Sequence, residues 1–297
     1  MAHHNICPLC DSENVVHFLQ TRDYFLTREP FELFKCSGCG FIFTQDYPEP
    51  DNMNRYYESD DYISHNDSAR GLLNNLYRIS RSFMLRRKKS IVRRHTRLGK
   101  GNLLDIGSGT GHFISFMKKA GWEVKGIEIN DKAREFSVSH FGLEVIPKEL
   151  ISSLASGSFD CITLWHVLEH LQDPFKYAAE ISRLLKPGGI CITAHPNCSS
   201  FDARYYKESW AAWDVPRHLW HFTPETFRLF SEKAGFTVSK IISLPPDVFY
   251  ISALSERYRE SKFPFISGFV KGMGFLLRSL FKTAGSSSLI YILKKRS

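Results

Sequence analysis

Leu103-Leu104-Asp105-Ile106-Gly107-Ser108-Gly109-Thr110-Gly111 decides the fold. Apolar residues lead to an acid and then to glycines at alternating positions, which predicts a buried strand running into a tight turn, bare of side chains where a ligand must pass close. The turn opens a helix over Phe113–Ala120, whose first amides lack intrahelical partners. Trp122–Asn130 predicts a second strand ending in Glu128, about 20 residues beyond the first glycine, the spacing that sets a carboxylate under ribose hydroxyls. A dinucleotide turn reads G-x-G-x-x-G. Here the third glycine comes one residue early and Asp105 precedes the turn, where it would repel a pyrophosphate and suits a cationic ligand.

Two further stretches follow in order, Phe159–His170 and Leu184–Pro196. Together the four resemble the class I S-adenosylmethionine-dependent methyltransferases. That resemblance implies an α/β fold with a seven-stranded Rossmann-like methyltransferase sheet, and S-adenosylmethionine as cofactor. It implies that Asp105 and Gly107 hold the amino acid end of the cofactor within the Gly107, Gly109, Gly111 turn, that Glu128 accepts the ribose hydroxyls, and that Leu164 and Trp165 line the methionine side. Pro147–Leu150, where such enzymes contact adenine, does not match sharply. The remaining elements read as helix Asp131–Phe141 and strands Leu143–Ile146, Asp160–Trp165, Phe236–Leu244 and Ser287–Leu293, the last antiparallel.

Hydrophobic content of 43%, charged content of 24% and a net charge of +8 describe a globular protein disposed towards acidic partners. No apolar signal core opens the chain and no run of eighteen apolar residues occurs in it, so a cytoplasmic protein is expected, with peripheral attachment to the inner face of the membrane as a variant. Seven cysteines there are thiols or metal ligands. Cys7, Cys10, Cys36 and Cys39 form two C-x-x-C knuckles, a zinc-ribbon pattern over residues 1–45 that competes with a redox reading. A zinc held by four thiolates is structural, with no open position for chemistry. Cys161 and Cys191 fall inside strands and read as buried small apolar residues.

Residues 46–99 read as a linker followed by basic amphipathic helices. Tyr56, Tyr57 and Tyr62 either cap the cofactor pocket or pack the ribbon on the main domain. Ser68–Leu104 lacks any acid, so its cations face outward, towards solvent or an anionic partner. The methyltransferase domain occupies 100–297, with an insertion at 247–285 before the last strand.

His166, Glu169 and His170 follow the fourth strand, where the methyl group of the cofactor would point, and His166 is the leading base candidate. Methyltransferases of the ubiquinone type carry Glu-x-x-Glu-His there and can hold a divalent ion; this chain has His166 in place of the first glutamate. A second cluster holds Trp210, Trp213, Trp220, Arg217, His218 and His221: aromatics for stacking an acceptor, Arg217 for a phosphate, His218 and His221 as alternative bases. Phe263–Lys282 reads as a basic amphipathic helix, either a lid or an element lying on an anionic membrane surface. The expected reaction is methyl transfer to a hydroxyl, less readily a carbon, of a small-molecule acceptor that is phosphorylated or lipid-linked, such as a sugar or quinone precursor. The alternatives are an RNA methyltransferase that binds RNA through the ribbon and basic helix, and a cofactor-binding regulator without turnover.

Overall fold

The computed structural model describes residues 1–57 and 72–296, with the side chains of 50, 51, 54 and 72–80 left aside; Tyr62 and Arg70 lie outside the described residues. The main sheet is built from β4 (Asn102–Ile106), β5 (Glu123–Ile127), β6 (Val145–Ile146), β7 (Phe159–Trp165), β8 (Leu185–Pro196), β10 (Phe236–Ser243) and β11 (Ser288–Lys295). Its strand order is β10-β11-β8-β7-β4-β5-β6. β4 runs parallel to β5 and β7, whereas β11 runs antiparallel to both of its neighbours. This is the expected seven-stranded sheet with its last strand reversed.

The central strands are apolar throughout because they are covered on both faces. Leu103, Cys161, Ile190 and Ile192 enter one core cluster, while the alternating Leu104, Ile162 and Cys191 enter another. The first face is covered by α1 (Leu72–Thr96), through Ile91 and Val92, and by α2 (His112–Lys119), through Phe113 and Met117. The second receives α4 (Pro174–Leu184) and α6 (Pro224–Lys233), through Ile181, Phe227 and Phe230. α3 (Asp131–Phe141) follows β5, and α5 (Phe201–Tyr206) follows β8.

The N-terminal strands β1 (Val15–Arg22), β2 (Pro30–Cys36) and β3 (Ile42–Thr44) form an antiparallel meander. Its fourth strand comes from far along the chain. β9 (Trp220–His221) pairs with β3, and the Thr44 amide donates to the Leu219 carbonyl at 2.9 Å. Arg217 is 1% exposed and joins the two parts: Nη2 donates to Asp23 at 2.8 Å and Asp214 at 2.7 Å, and Nη1 donates to the Tyr56 carbonyl at 3.0 Å.

This seam corrects two expectations and selects between the two readings of Tyr56. Trp210, Trp213 and Trp220 are 2, 3 and 4% exposed, so they are core and present no stacking surface. Arg217 is consumed by two carboxylates and has no fork left for a phosphate. Tyr56 is buried and its hydroxyl donates to Glu29, so it packs the ribbon and caps nothing.

The segment read as an insertion is a helical hairpin, α7 (Asp247–Tyr258) and α8 (Pro264–Phe281). The two helices approach closely because α8 places glycines against α7. A Cβ on Gly268 would lie 2.4 Å from Ala253 Cα, and one on Gly272 would lie 3.1 Å from Phe249.

Candidate active site

Asp105, Glu128 and Trp165 stand at or just past the carboxyl ends of adjacent parallel strands, the crevice where open α/β sheets take their ligands. Gly107, Gly109 and Gly111 have φ of +73°, +53° and +78°, a left-handed run that side chains resist. A Cβ on Gly107 would lie 2.3 Å from Val167 Cγ2, whereas one on Gly109 would meet nothing within 4 Å. The first glycine is therefore needed for packing, and the second leaves bare backbone facing open space.

Glu128 is 9% exposed and already organised. Its Oε2 accepts from the Gly109 amide at 2.7 Å and its Oε1 from the Asn130 amide at 2.9 Å, which fixes the carboxylate at the mouth of the turn. Asp105 is buried; burial pushes its carboxyl up to about 7, against the opposing effects of the Thr163 hydroxyl, which donates to it, and of the Lys88 charge. Lys88 comes from α1, with Nζ 4.5 Å from the Trp165 ring centre, and burial brings it down to about 8 although Asp105 and Asp247 pull it up. Leu164 is buried at 1%, and the Trp165 indole N–H has no partner among the described residues. A buried anion beside an open glycine backbone, with a fixed carboxylate beyond it, fits a ligand that is cationic at one end and hydroxylated at the other.

His166 follows β7 with φ of +58°, a strained conformation for a residue with a Cβ. Its imidazole bridges two carboxylates, Nε2 3.1 Å from Asp247 and Nδ1 3.4 Å from Glu169. Burial disfavours its charge, but the two acids outweigh burial and raise it to about 10. Asp247 opens α7, inside the segment read as an insertion, and had no role in the sequence-based expectations; its only local signal is the Pro245-Pro246-Asp247 start of a helix. Lys88 was equally hidden, one cation among many on α1.

Glu169 is 1% exposed and is paired with the His166 imidazole through Oε1, while its Oε2 has no hydrogen-bond partner among the described residues. Ligand atoms of Glu169, His170 and His218 lie within 4.8 Å of one another. His170 Nδ1 faces the Arg217 carbonyl at 3.1 Å and His218 Nδ1 faces the Ala212 carbonyl at 2.9 Å. Since a carbonyl only accepts, each histidine donates from Nδ1, which fixes its ring as in metal-binding histidines; His218 Nε2 also lies 3.8 Å from Asp214. The trio fits a divalent ion. Tyr57, half-buried, brings its hydroxyl to 3.3 Å from His170 Nδ1, so the segment before α1 does reach this site.

His221 does not join it. It sits in β9, 4% exposed, its Nε2 3.1 Å from the Thr44 hydroxyl and its ring edge-on to Trp213. Burial drives its pKa well below the usual value, so the alternative base becomes a neutral core residue.

In the ribbon, Cys7 Sγ lies 3.7 Å from Cys39 Sγ, and Cys10 Sγ 3.6 Å from Cys36 Sγ. A tetrahedron with bonds of about 2.3 Å has edges of about 3.8 Å, so the four sulfurs are spaced for one zinc. Among the described residues no helix is long and apolar enough to cross a membrane.

A family profile described as a methyltransferase domain matches residues 80–241. The ubiquinone biosynthesis O-methyltransferase of Ralstonia nicotianae is 32% identical over 108 residues, 33% of this chain and 45% of that protein. The enzyme of the same name from Nitrosospira multiformis is 33% identical over 166 residues, 52% of this chain and 70% of that protein. The chain thus spans less than half of the first of these relatives. A solved S-adenosylmethionine-dependent methyltransferase from Archaeoglobus fulgidus shares the fold, with a TM-score of 0.50 and 23% identity over 72% of this chain and 94% of that one. The chain belongs to the methyltransferase-domain family, with the class I fold that the Archaeoglobus fulgidus protein shares.

Proposed function

We propose that this protein transfers the methyl group of S-adenosylmethionine to a hydroxyl of a small acceptor of the quinone-precursor or sugar class. The observation that carries the reading is the buried Glu169 carboxylate clustered with His170 and His218, one ligand atom of each lying within 4.8 Å of the others. Asp105 takes the cofactor's ammonium, Glu128 its ribose hydroxyls, and Lys88 stands where the cofactor's carboxylate would lie. Gly107, Gly109 and Gly111 let the cofactor approach the backbone, and Leu164 and Trp165 wall its methionine end. The names of the ubiquinone-type relatives support a hydroxyl acceptor.

Methyl transfer from a sulfonium is an in-line displacement, helped most by holding the nucleophile close and aligned. A divalent ion on Glu169, His170 and His218 would lower the pKa of the acceptor hydroxyl. This corrects His166 as the base candidate: held protonated between Glu169 and Asp247, it has no lone pair to offer and instead positions the two acids, while Asp247, 23% exposed, receives the leaving proton and returns it to solvent. A zinc held by Cys7, Cys10, Cys36 and Cys39 stiffens the ribbon at residues 1–45. Through β3 that ribbon supports the 217–221 segment carrying His218. Residues 46–99 link it to the methyltransferase domain at 100–297, in which 247–285 is a functional insertion supplying Asp247.

The test uses purified protein, methyl-labelled cofactor and three acceptors: 3,4-dihydroxybenzoate, a hexose phosphate and an RNA transcript. Methylation of a small-molecule hydroxyl, lost in Glu169→Gln at unchanged cofactor affinity, supports the reading. Methylated RNA, or tight cofactor binding with no product on any of the three acceptors, overturns it.

A further inference from the structure

α8 uses one face to pack on α7 and has another face that no described residue covers. Gly268, Gly272, Phe275 and Ser279 are buried against the domain, and Glu256 of α7 receives the Ser267 hydroxyl and the Lys271 ammonium at 2.6 Å each. These contacts fix the rotation of the helix. At 100° per residue, Ile266, Phe269, Val270, Met273, Leu277 and Leu280 then form one continuous outward stripe. Ile266 is 68% exposed, Phe269 56%, Val270 64%, Leu277 52% and Leu280 68%. Phe263, Phe265 and Phe281 extend the stripe at both ends, 59, 75 and 93% exposed. At about 200 Å² per phenylalanine side chain, the four phenylalanines alone present on the order of 500 Å² of apolar surface to water. That already matches the largest patch of an ordinary monomer, before the aliphatic residues are added.

Charge selects the occupant. The stripe is bordered by the exposed Lys262, Arg278 and Lys282, and residues 261–297 contain no acid at all. A second copy docked through this face would bring the same cations together with no carboxylate from either segment to balance them. A lipid surface with anionic headgroups satisfies both features, since the apolar stripe enters the acyl boundary while the flanking cations reach phosphate. We propose that α8 is an interfacial anchor for an anionic bilayer. It spans nothing. It lies in the membrane plane, and α7, packed on its other face, carries Asp247 to His166 of the active site, so the site is held close to the lipid surface.

The experiment is vesicle co-sedimentation with the full chain, which requires neither turnover nor a known acceptor and so stands or falls separately from the proposed reaction. Vesicles of equal parts phosphatidylglycerol and phosphatidylcholine are compared with pure phosphatidylcholine. Three cations at the surface predict a preference of at least about tenfold for the anionic vesicles, reduced by high salt. The double variant Ile266→Glu/Leu280→Glu changes only outward side chains. It should lose the vesicles while keeping the S-adenosylmethionine affinity and thermal midpoint of the unmodified protein. Lys282→Glu should weaken anionic binding alone. Absence of binding to either vesicle overturns the proposal. So does binding that survives the double variant, or a concentration-dependent dimer that the double variant dissolves in protein that ignores vesicles.

Discussion

Gly107→Ala tests the glycine turn quantitatively. The added methyl meets two separate penalties. The backbone sits at φ +73°, where an L side chain costs about 1–2 kcal/mol. The Cβ would also lie 2.3 Å from Val167 Cγ2, far inside contact distance, and overpacking of this kind costs about 1–3 kcal/mol. Together they predict a loss of about 2–5 kcal/mol in urea unfolding, against a typical domain stability of about 5–15 kcal/mol. Val167→Ala removes the steric partner but not the dihedral strain. In a double-mutant cycle the pair should therefore couple favourably by about 1–3 kcal/mol, while the double variant stays below Val167→Ala alone. S-adenosylmethionine affinity by calorimetry should fall in Gly107→Ala and recover only in part in the double variant. A Gly107→Ala protein within about 0.5 kcal/mol of the original refutes the geometry assigned to the turn. Zero coupling to Val167 refutes it as well.

Three other outcomes are expected. Burial pushes Asp105 up to about 7, so lowering the pH through that value neutralises it in the free protein; cofactor affinity, which needs the carboxylate charged, should fall between pH 7 and 5.5, and Asp105→Asn should bind weakly with no such slope. The protein should carry one zinc per chain by metal analysis, not counting any ion at Glu169; Cys36→Ser should release it and, because β3 pairs with Trp220–His221, should also lower turnover. Arg217→Ala leaves Asp23 buried without its cation and should cost about 3–5 kcal/mol, read as a drop in thermal midpoint on the order of 10 °C that Asp23→Ala partly restores.

The sequence is most legible where the interactions are local. The glycine turn, Glu128 and the apolar strands announce themselves within about thirty residues, because a βαβ unit encodes its own turn chemistry. The cysteine knuckles are equally local in their signal, and the four sulfurs do converge. What misled was the aromatic and titratable mixture at 210–221. Trp213, Arg217 and His221 look like a binding surface when read alone, yet the partners that bury them are distant: Asp23 lies 194 positions from Arg217, and Thr44 lies 177 from His221. A buried charge is indistinguishable in sequence from a catalytic one until its counterion is found. Asp247 shows the reverse case, a site residue hidden in an insertion because only the hairpin's docking brings it to His166. The exposed stripe of α8 lay between the two readings, since helical periodicity fixes which residues share a face and not which face the domain covers.

The central claim is methyl transfer to a small molecule, and one measurement reaches it most directly. The full chain is incubated with methyl-labelled S-adenosylmethionine and a bacterial lysate, and the aqueous small molecules, lipid extract, RNA and protein are then separated and counted. The account predicts label in the aqueous or lipid fraction, as a methyl ether, and none after Glu128→Gln has weakened the cofactor site. Label confined to RNA or protein would contradict it.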